Sequence, residues 1–427
     1  MNPTLPDTEY DASVGELILV LNCGSSSIKF ALFDACDAPL SRTPAWNGKV
    51  QGIGGAAPTY GETDVAPEPV DLGPDQPYHA ALAYIRARVA RRLGTRRLVA
   101  VAHRVVHGGS KYFAPVAVDA AVLADLKSFI PLAPLHQPFA LDAIEALLLS
   151  SPEVPQIASF DTAFHHTLPK VEQILPLPFA AWERGLRRFG FHGLSYEYMS
   201  IVLPERHGAC ANGRVIVAHL GSGASLCAMQ GLQSVATTMG FSALDGLMMG
   251  TRTGALDPGA LLYLMEVEKL TPAQVGHMLY HESGLLGLSG LSSEPRVLLA
   301  SETRRDDVGE RVRAALALYV RRIVREIGAL VAVLGGLDLL VFTAGVGEHS
   351  VELRARICRD LSFLGIVLDE SGNLAHASLI SAPSSGVRVG VEPANEEWIA
   401  ARHAAALIST AAGSVPTITE NRPRAAN

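Results

Sequence analysis

The chain has 427 residues, of which 48% are hydrophobic and 18% are charged, and its mean hydropathy is +0.23. This composition supplies a sizeable core and excludes a mostly disordered protein, and the length predicts two or three domains of roughly 150 residues. The formal net charge of −7 argues against a nucleic-acid-binding protein, which normally carries a basic surface. Five scattered cysteines without a CxxC pair predict neither a disulfide framework nor a zinc site, and they favour a reducing compartment.

The sequence carries no signal for export or for a membrane. The polar, acidic N-terminus lacks the basic and apolar regions of a signal peptide. The most apolar stretch, 327–342, is interrupted by Gly335, Gly336 and Asp338. We therefore predict a buried helix, a turn and a buried strand there, and a cytoplasmic protein that does not associate with membranes.

The first half of the chain alternates predicted strands and helices. Two apolar strands, 17–22 and 28–33, flank the small polar turn 24–27 and predict a hairpin. The elements that follow are strands with irregular loops over 47–77, a helix over 78–93, a strand over 98–106, helices over 119–130 and 138–149, and a strand over 157–160.

The second half begins with the same kind of unit. A strand over 214–220, the Gly/Ser turn 221–225 and a strand over 226–230 repeat the first hairpin. The elements that follow are helices over 257–266, 272–280 and 308–334, a strand over 339–343, and helices over 349–361 and 396–411. This alternation predicts an α/β protein with partly parallel sheets, and the repeated hairpin indicates two similar lobes that face one cleft.

The sequence contains no Walker A motif, no nucleophile elbow, no HExxH helix and no GxGxxG after a strand. It has instead four turns of small residues near apolar strands, at 24–27, 221–225, 284–290 and 344–347. Backbone N–H groups in such turns can surround an anion, because no bulky side chain intervenes. One such turn is an ordinary hairpin feature, but four in one chain favour a polyphosphate ligand.

Three charged side chains stand where they could reach such a ligand. Lys29 lies on the strand that leaves the first turn and fits either a phosphate contact or an exposed strand edge. Arg104 lies near the end of a buried strand; its planar guanidinium suits an anion site or a buried salt bridge. Asp161 follows a strand, where a carboxylate orients a metal ion or water, or caps a helix.

Three further positions are ambiguous when they are taken singly. His192 lies among aromatic residues, as core histidines often do. Arg252 stands between two glycines in a loop, which is also typical of a surface arginine. Glu396 opens the last helix, where acidic residues stabilise the helix dipole.

Eight segments together resemble the acetate kinase family. They are LNCGSSSIK (21–29), HRVVHGG (103–109), FDTAFHHT (160–167), RRFGFHGLS (187–195), HLGSGAS (219–225), MGFSALDGLMMGTRTGALDPG (239–259), FTAGVGEHS (342–350) and PANEE (393–397). They occur in that family's order and cover nearly the whole chain, which makes a chance match untenable.

The resemblance implies an α/β fold of two ribonuclease H-like (actin-like ATPase) lobes around a central nucleotide cleft, usually in a homodimer. Residues 1–162 would form the carboxylate-binding lobe and residues 163–396 the nucleotide-binding lobe. Helix 397–412 would pack back on the first lobe, and 413–427 would be a flexible tail. The implied reaction is reversible phosphoryl transfer from ATP to acetate, giving acetyl phosphate and ADP, with Mg²⁺ as cofactor and Mn²⁺ as a second candidate metal.

Position by position, the resemblance assigns roles to particular residues. These are metal binding to Asn22 and Glu396; catalysis to Asp161, His192 and Arg252; acetate binding to Arg104, Val106, Leu135, His136 and Phe191; and nucleotide binding to Lys29, His219, Leu220, Gly221, Ser222, Gly223, Glu294, Pro295, Arg296, Gly345, Val346, Gly347, Glu348 and His349. Arg104 would hold the acetate carboxylate, and the apolar residues would surround the acetate methyl group.

The implied chemistry needs electrostatic help more than a proton acceptor. Acetate is already ionised at pH 7, so the nucleophile needs no general base. Phosphoryl transfer passes through a loose, in-line state with charge on three equatorial oxygens. We therefore expect Arg252, His192 and Mg²⁺ to stabilise that charge, Arg104 to align the acceptor, and Asp161 to orient other groups.

Four positions depart from the family's usual sequence: Ser222, Ala243, Glu294 and His349. Ala243 replaces a proline beside the acetate methyl, and each methylene buried there is worth about 0.8 kcal/mol, so we expect propionate to be accepted better than usual. The substitutions at 222 and 349 lie in nucleotide-binding segments. A donor other than ATP, including pyrophosphate, therefore stays open.

Three alternatives to an acetate kinase remain at this point. The first is a kinase of propionate or butyrate on the same scaffold. The second is a nucleotide-dependent binding module that has lost catalysis, which the complete set of site residues opposes. The third is a sugar kinase, whose hydroxyl acceptor needs a base and needs no arginine for a carboxylate; Arg104 argues against it.

Overall fold

The computed structural model describes residues 15–63, 65–134 and 136–413, with side chains through residue 410. Over these residues the chain forms an eight-stranded sheet and a five-stranded sheet, with helices between and outside them. The predicted mixed α/β organisation is confirmed.

The first sheet is built from the first part of the chain. Its strands are β1 (Glu16–Cys23), β2 (Ser27–Asp34), β3 (Trp46–Gln51), β4 (Thr59–Glu62), β5 (Glu68–Pro69), β6 (Arg97–Val105), β7 (Val116–Ala117) and β8 (Gln156–Phe160). The spatial order is β5-β4-β3-β2-β1-β6-β8-β7. β1 to β5 pair antiparallel, β1, β6 and β8 pair parallel, and β7 is an antiparallel edge.

The second sheet follows the same plan. Its strands are β9 (Arg214–Leu220), β10 (Ala224–Gln230), β11 (Gln233–Thr237), β12 (Leu339–Thr343) and β13 (Arg388–Val391), in the order β11-β10-β9-β12-β13. β9, β10 and β11 form an antiparallel meander, and β9, β12 and β13 pair parallel. Because β3-β2-β1-β6-β8 has the same pattern, the predicted repeat of the hairpin unit is confirmed.

Helices account for most of the remaining regular structure. They are α1 (Pro77–Leu93), α2 (Ala120–Ser128), α3 (Gln137–Ser150), α4 (Lys170–Gln173), α5 (Phe179–Glu183), α6 (Gly193–His207), α7 (Pro258–Glu266), α8 (Pro272–His281), α9 (Gly284–Ser289), α10 (Pro295–Ser301), α11 (Asp307–Leu334), α12 (Ala344–His349), α13 (Val351–Asp360), α14 (Glu370–Leu374) and α15 (Glu396–Gly413). Short 3-10 turns lie at Ile130–Leu132, Ala163–Thr167, Gly208–Asn212 and Ser362–Leu364.

Two of these helices, α6 and α15, fill the space between the sheets. Side chains alternate along a strand, so Ile18 and Val20 of β1 face this middle layer, whereas Leu19 and Leu21 face α1 and α3. One apolar cluster contains residues of both sheets together with Trp398 and other side chains of α15 and α6. The middle layer therefore joins the two sheets and fixes their separation.

The long helix α11 covers the opposite face of the second sheet. Its N-cap is Asp306, whose carboxylate accepts from the Gly309 N–H at 3.0 Å, and its C-cap is Gly335, in the left-handed region. Val312, Leu316 and other residues at helical spacing pack into the core of this sheet. The helix predicted over 308–334 is confirmed.

Two predictions of local structure were wrong. The segments 284–290 and 344–347, predicted as small-residue turns, are mainly the short helices α9 and α12. Helix α6 was not predicted, because most of its faces are buried and its apolar residues do not form one stripe. Strands β11 and β13 and helix α10 were also not predicted.

Among the described residues, no helix combines the length and the apolar character needed to cross a bilayer. The predicted tail beyond residue 413 and the predicted site residue Leu135 lie outside the described residues.

Candidate active site

A cavity of about 1180 Å³ opens between the two sheets, and both hairpin turns line it. Gly24–Ser27 of the β1–β2 turn form part of one wall, and Gly221–Gly223 of the β9–β10 turn form part of the opposite wall. A small apolar region at Val106, Phe191 and Ala243 lies in the same cavity. The cavity therefore offers both polar turns and an apolar patch to a ligand.

Arg104 is held between two carboxylates in this cavity. Its Nε and Nη2 donate to the Asp161 carboxylate at 2.9 and 2.7 Å, and its Nη1 lies 3.0 Å from Glu396 Oε2. The Asn22 Oδ1 lies 3.5 Å from the same Nη1. Because β1, β6 and β8 are parallel neighbours, their carboxyl ends bring Asn22, Arg104 and Asp161 together, and α15 begins beside them at Glu396.

Burial and charge act in opposite directions on this cluster. Burial raises the pKa of both Asp161 and Glu396, although the neighbouring Arg104 lowers it. Burial also disfavours the charged guanidinium, but Asp161 and Glu396 outweigh it and raise the pKa of Arg104. The guanidinium therefore stays charged, and the cluster holds one cation for two carboxyl groups.

Arg252 reaches the same cavity from the second half of the chain. Its Nη1 donates to the Ala243 carbonyl at 2.9 Å, and its Nη2 lies 3.3 Å from His136 Nε2. Over the described ranges, no carboxylate forms a salt bridge with it. Burial lowers the pKa of Arg252, and burial with the nearby Arg252 and Arg104 lowers the pKa of His136 to about 4. Arg252 is thus a half-buried cation that has no carboxylate partner in the described part of the chain.

His192 lies beside Arg252 at the first turn of α6. Its backbone is in the left-handed region at φ 60°, and its ring stacks on that of His219 with 4.2 Å between centroids. The His192 Nδ1 lies 2.8 Å from Ser225 Oγ, and the His219 Nδ1 lies 2.9 Å from Ser195 Oγ. Burial, followed by nearby positive groups, lowers the pKa of His192 well below its ordinary value and that of His219 to about 3. Both rings are therefore neutral near pH 7.

Three segments of the second half bring backbone N–H groups to the cavity. They are the β9–β10 turn at Ser222–Gly223, the start of α10 at Arg296, and the start of α12 at Gly345–Val346; Pro295 has no N–H, and the Gly221 N–H donates to the Gly223 carbonyl at 3.0 Å. Helix starts leave N–H groups without intrahelical partners, and these groups favour anions. A Cβ atom on Gly223 would lie 3.0 Å from His192 Nε2, so glycine keeps the space before that imidazole open.

Most of the predicted site residues line the cavity. They are Asn22, Lys29, Arg104, Val106, His136, Asp161, Phe191, His192, His219, Gly221, Ser222, Gly223, Arg252, Glu294, Pro295, Arg296, Gly345, Val346, Glu348, His349 and Glu396. Leu220 and Gly347 are buried behind the cavity wall and do not line it, since the Leu220 side chain points into the core of the second sheet. Of the four small-residue segments, 284–290 does not reach the cavity.

The cavity also has wall residues that were not predicted. They are Leu299, Ser350, Val351, Glu352, Ala394 and Glu397. Leu299 lies three residues beyond Arg296 on α10, so helical spacing is the signal that identifies it. The other residues lie next to the predicted segment 345–349 or within the segment 393–397, and only the folded chain shows which of them face the cavity.

The residues beside Arg104 suit a magnesium ion. In the described part of the chain, no three His, Cys, Asp or Glu side chains are grouped to hold a metal by themselves. Asn22 Oδ1 and Glu396 Oε2 are hard oxygen donors, and both approach Nη1 of Arg104, so they already share one cation. Mg²⁺ typically takes one or two such protein oxygens and completes its shell with water and phosphate. The donor set therefore fits Mg²⁺.

A model of the Acetokinase family matches residues 17–402. The chain belongs to this family. The acetate kinase of Rhodopseudomonas palustris is 48% identical over 396 residues, which cover 91% of this chain and 98% of that protein. The acetate kinase of Nitrobacter hamburgensis is 45% identical over 399 residues, which cover 92% of this chain and 96% of that protein.

Solved structures of the acetokinase family share the fold. Porphyromonas gingivalis acetate kinase is 34% identical with a TM-score of 0.79, and the match covers 92% of this chain and 100% of that one. A propionate kinase from Francisella tularensis is 31% identical with a TM-score of 0.82, covering 91% and 98%. The fold is therefore the actin-like ATPase fold, and membership of the acetokinase family makes the protein a phosphotransferase with a carboxyl acceptor.

Proposed function

We propose that this protein transfers the γ-phosphoryl group of ATP to acetate in a reversible reaction that gives acetyl phosphate and ADP. The observation that carries the proposal is Arg252, a half-buried cation that lines the cavity and has no carboxylate partner among the described residues. A partly desolvated charge of this kind is unfavourable until an anion reaches it. A phosphoryl group in transfer is such an anion.

The proposed acceptor position lies between Arg104 and the apolar patch. Val106, Phe191 and Ala243 offer a surface suited to a methyl group, and Arg104 supplies a cation for the carboxylate. Acetate has both features. A propionate kinase is not favoured, because the relatives at 44–48% identity are named acetate kinases. The small side chain of Ala243 still supports propionate as a slower, secondary substrate.

The proposed donor position lies along the turn and helix starts of the second half. Ser222, Gly223 and the start of α12 line the cavity, and their N–H groups are suited to a phosphate tail there. His349 and Glu294 line the part of the cavity proposed for the nucleoside. A cavity of about 1180 Å³ has room for a nucleoside triphosphate together with acetate, which supports ATP over pyrophosphate as donor.

We propose Mg²⁺ as the cofactor, held by Asn22 and Glu396. The ion would neutralise charge on the phosphate tail, which is what magnesium supplies in phosphoryl transfer. The Glu396 carboxylate pairs with Nη1 of Arg104, so the same carboxylate would balance the charge of the guanidinium or of Mg²⁺.

The residues of the chain then act by position and charge. Arg252 and His192 converge on the space before Gly223, where they can stabilise the transferring group. Asp161 binds Arg104 through both of its oxygens, which supports a role in orienting the guanidinium rather than in taking a proton. Acetate needs no base, so the site performs the reaction by alignment and electrostatics.

We propose that the two sheets mark two lobes, 1–162 and 163–396, with the helix 397–412 returning to the first. This division is supported by the sheet membership of the strands, since β8 ends at Phe160 and β9 begins at Arg214. It is also supported by the packing of α15 against β1 and β6.

We also propose a homodimer. Helix α7 has no buried residue, although it is largely apolar, and Leu262 and Tyr263 are more than half exposed. Leu256 and Val267 extend the same exposed apolar surface at both ends of the helix. A second copy of the chain would remove this surface from water.

The cytoplasm is the proposed compartment. Cys23, Cys227 and Cys358 are buried as free thiols in three different apolar clusters, an arrangement that suits a reducing environment.

A substrate panel with the purified full-length protein tests the proposed function. Acetate, propionate and butyrate are each combined with ATP, GTP or pyrophosphate, with and without Mg²⁺, and acyl phosphate is trapped as the hydroxamate. We expect the highest kcat/KM with acetate and ATP, and no product without the metal. Nucleotide binding without acyl phosphate from any acid would instead indicate a binding module that has lost catalysis.

A further inference from the structure

The proton on the His192 ring is fixed by two neighbouring hydroxyl groups. The His192 Nδ1 lies 2.8 Å from Ser225 Oγ, and the same Oγ lies 2.5 Å from the Tyr196 hydroxyl. Ser225 is on β10 and Tyr196 is on α6, so the three groups form a short chain between a strand and a helix. Both hydroxyl-bearing residues are fully buried, so bulk solvent does not reach them.

Only one arrangement of hydrogens in this His192–Ser225–Tyr196 network gives every donor an acceptor. If Tyr196 donates to Ser225, and Ser225 donates to His192 Nδ1, every hydroxyl hydrogen is used. If Nδ1 carried the proton and donated to Ser225, one of the two hydroxyl hydrogens would have no acceptor. Among the described residues, Tyr196 has no other hydrogen-bond partner for its hydroxyl. An unpaired donor at a fully buried position is unfavourable.

The other ring nitrogen of His192 faces the cavity. A Cβ atom built on Gly223 would lie 3.0 Å from His192 Nε2 and 3.9 Å from Arg252 Nη1. Both nitrogens therefore border the same space, next to Gly223. Stacking on His219 holds the ring plane in this orientation. A hydrogen on Nε2 therefore points at the place proposed for the transferring phosphoryl group.

We propose that Tyr196 and Ser225 are positioning residues that fix His192 as the neutral tautomer with its proton on Nε2, so that it donates a hydrogen bond to the transferring phosphoryl group. The part of this inference that concerns the phosphoryl group rests on the proposed function; the position of the proton does not. Burial raises the pKa of Tyr196 well above its ordinary value, so its hydroxyl stays protonated and remains a donor. A donor that is already in place needs no reorganisation when charge develops on the substrate.

A neutron crystal structure of the full-length protein, without substrate and near pH 7, tests the proton position directly. We expect deuterium on His192 Nε2 and none on Nδ1, with the Ser225 hydroxyl directed at Nδ1. Deuterium on Nδ1, whether alone or with Nε2, overturns the inference. This measurement needs no activity, so it separates the inference from the proposed function.

Kinetics of Tyr196→Phe test the consequence, because this change keeps the buried ring but removes the donor that holds Ser225 Oγ and so directs the Ser225 hydroxyl at His192 Nδ1. We expect kcat to fall about 10-fold, while KM for acetate and for ATP stays within about 2-fold. The matched control is Tyr198→Phe, on the same helix and in the same apolar cluster, whose hydroxyl has no hydrogen bond to a described residue. We expect Tyr198→Phe to keep the wild-type kcat. An unchanged kcat in Tyr196→Phe, or an equal loss in both variants, overturns the positioning role.

Discussion

Two half-buried arginines in one cavity differ in their partners. Arg104 is paired with Asp161 and Glu396, whereas Arg252 contacts only a carbonyl and an imidazole among the described residues. The first has its charge balanced within the protein, and the second is balanced only when an anion enters. The same residue type therefore serves different purposes at the two positions, and substituting each should give a different result.

Arg252→Ala should lower kcat by about 10³-fold or more with little change in either KM. The reason is that a charge aimed at the transferring group stabilises the transition state more than the bound substrates. Steady-state kinetics with acetate and ATP measure this effect. Arg359→Ala, at an exposed arginine on α13, is the control and should match the wild type. A change confined to KM would contradict the role given to Arg252.

Arg104→Ala should chiefly raise KM for acetate, and it should also destabilise the fold. Without the guanidinium, the buried Asp161 and the partly buried Glu396 would remain without their cation, and removing one partner of a buried ion pair typically costs about 3–5 kcal/mol. Chemical unfolding and acetate titrations measure the two effects. Arg97→Ala, which breaks an exposed pair with Glu16, should change neither quantity appreciably. An acetate KM equal to that of the wild type would remove Arg104 from the acceptor position.

The sequence predicted which residues belong to the site better than it predicted which of them interact with one another. The sequence offered a buried salt bridge and an anion site as alternatives for Arg104, and the structure contains the salt bridge within the cavity itself. The partners of Arg104 lie 57 and 292 residues away along the chain, so no local pattern connects them. Ser225 and Tyr196 carry no motif signal either, since a hydroxyl chain exists only once β10 meets α6.

Helices with one face exposed to solvent were predicted from the sequence, whereas a helix buried on most sides was not. α11 was predicted because one side faces water and the other faces the sheet, which leaves a clear stripe. α6 was not, since it lies between two sheets and is buried on most sides. The helices α9 and α12 are six residues each, and their glycine-rich sequences also fit a turn.

Helix α7 gives a prediction about assembly. Leu262→Glu should convert the proposed dimer to a monomer, because a carboxylate at the centre of the apolar surface would be buried without a partner. Light scattering coupled to size-exclusion chromatography gives the mass. Leu149→Glu, at an exposed leucine on α3, is the matched control and should leave the mass unchanged. A Leu262→Glu protein with the mass of the wild type would exclude α7 from the interface.

For the molecule as a whole, buried histidines make the stability depend on pH. Burial lowers the pKa of His103, His107 and His165 to about 4, below the ordinary 6.5. Each such group is neutral when folded and takes up a proton when unfolded between these two values. Their contribution to stability is therefore complete above pH 6.5, and it is lost as the pH falls towards 4.

His103→Gln should reduce this dependence. Near pH 5, one such histidine contributes a slope of about 1.4 kcal/mol per pH unit, and the variant should lack that contribution. Urea unfolding at a series of pH values measures the slope, which is separate from any overall loss of stability. His277→Gln, at an exposed histidine on α8, should keep the wild-type slope. An unchanged slope in His103→Gln would show that this ring is not responsible.

The return of α15 to the first sheet has a consequence for biosynthesis. Ile18, Val20 and Phe33 rest on Trp398 and its neighbours, which the ribosome adds near the end of translation. At about 5–20 residues per second, the nascent sheet waits roughly 10–50 s for the helix that covers it. During this interval the apolar face of the sheet is exposed to solvent, so chaperones that bind nascent chains have a defined target. A message truncated before codon 396 would leave that target exposed for good.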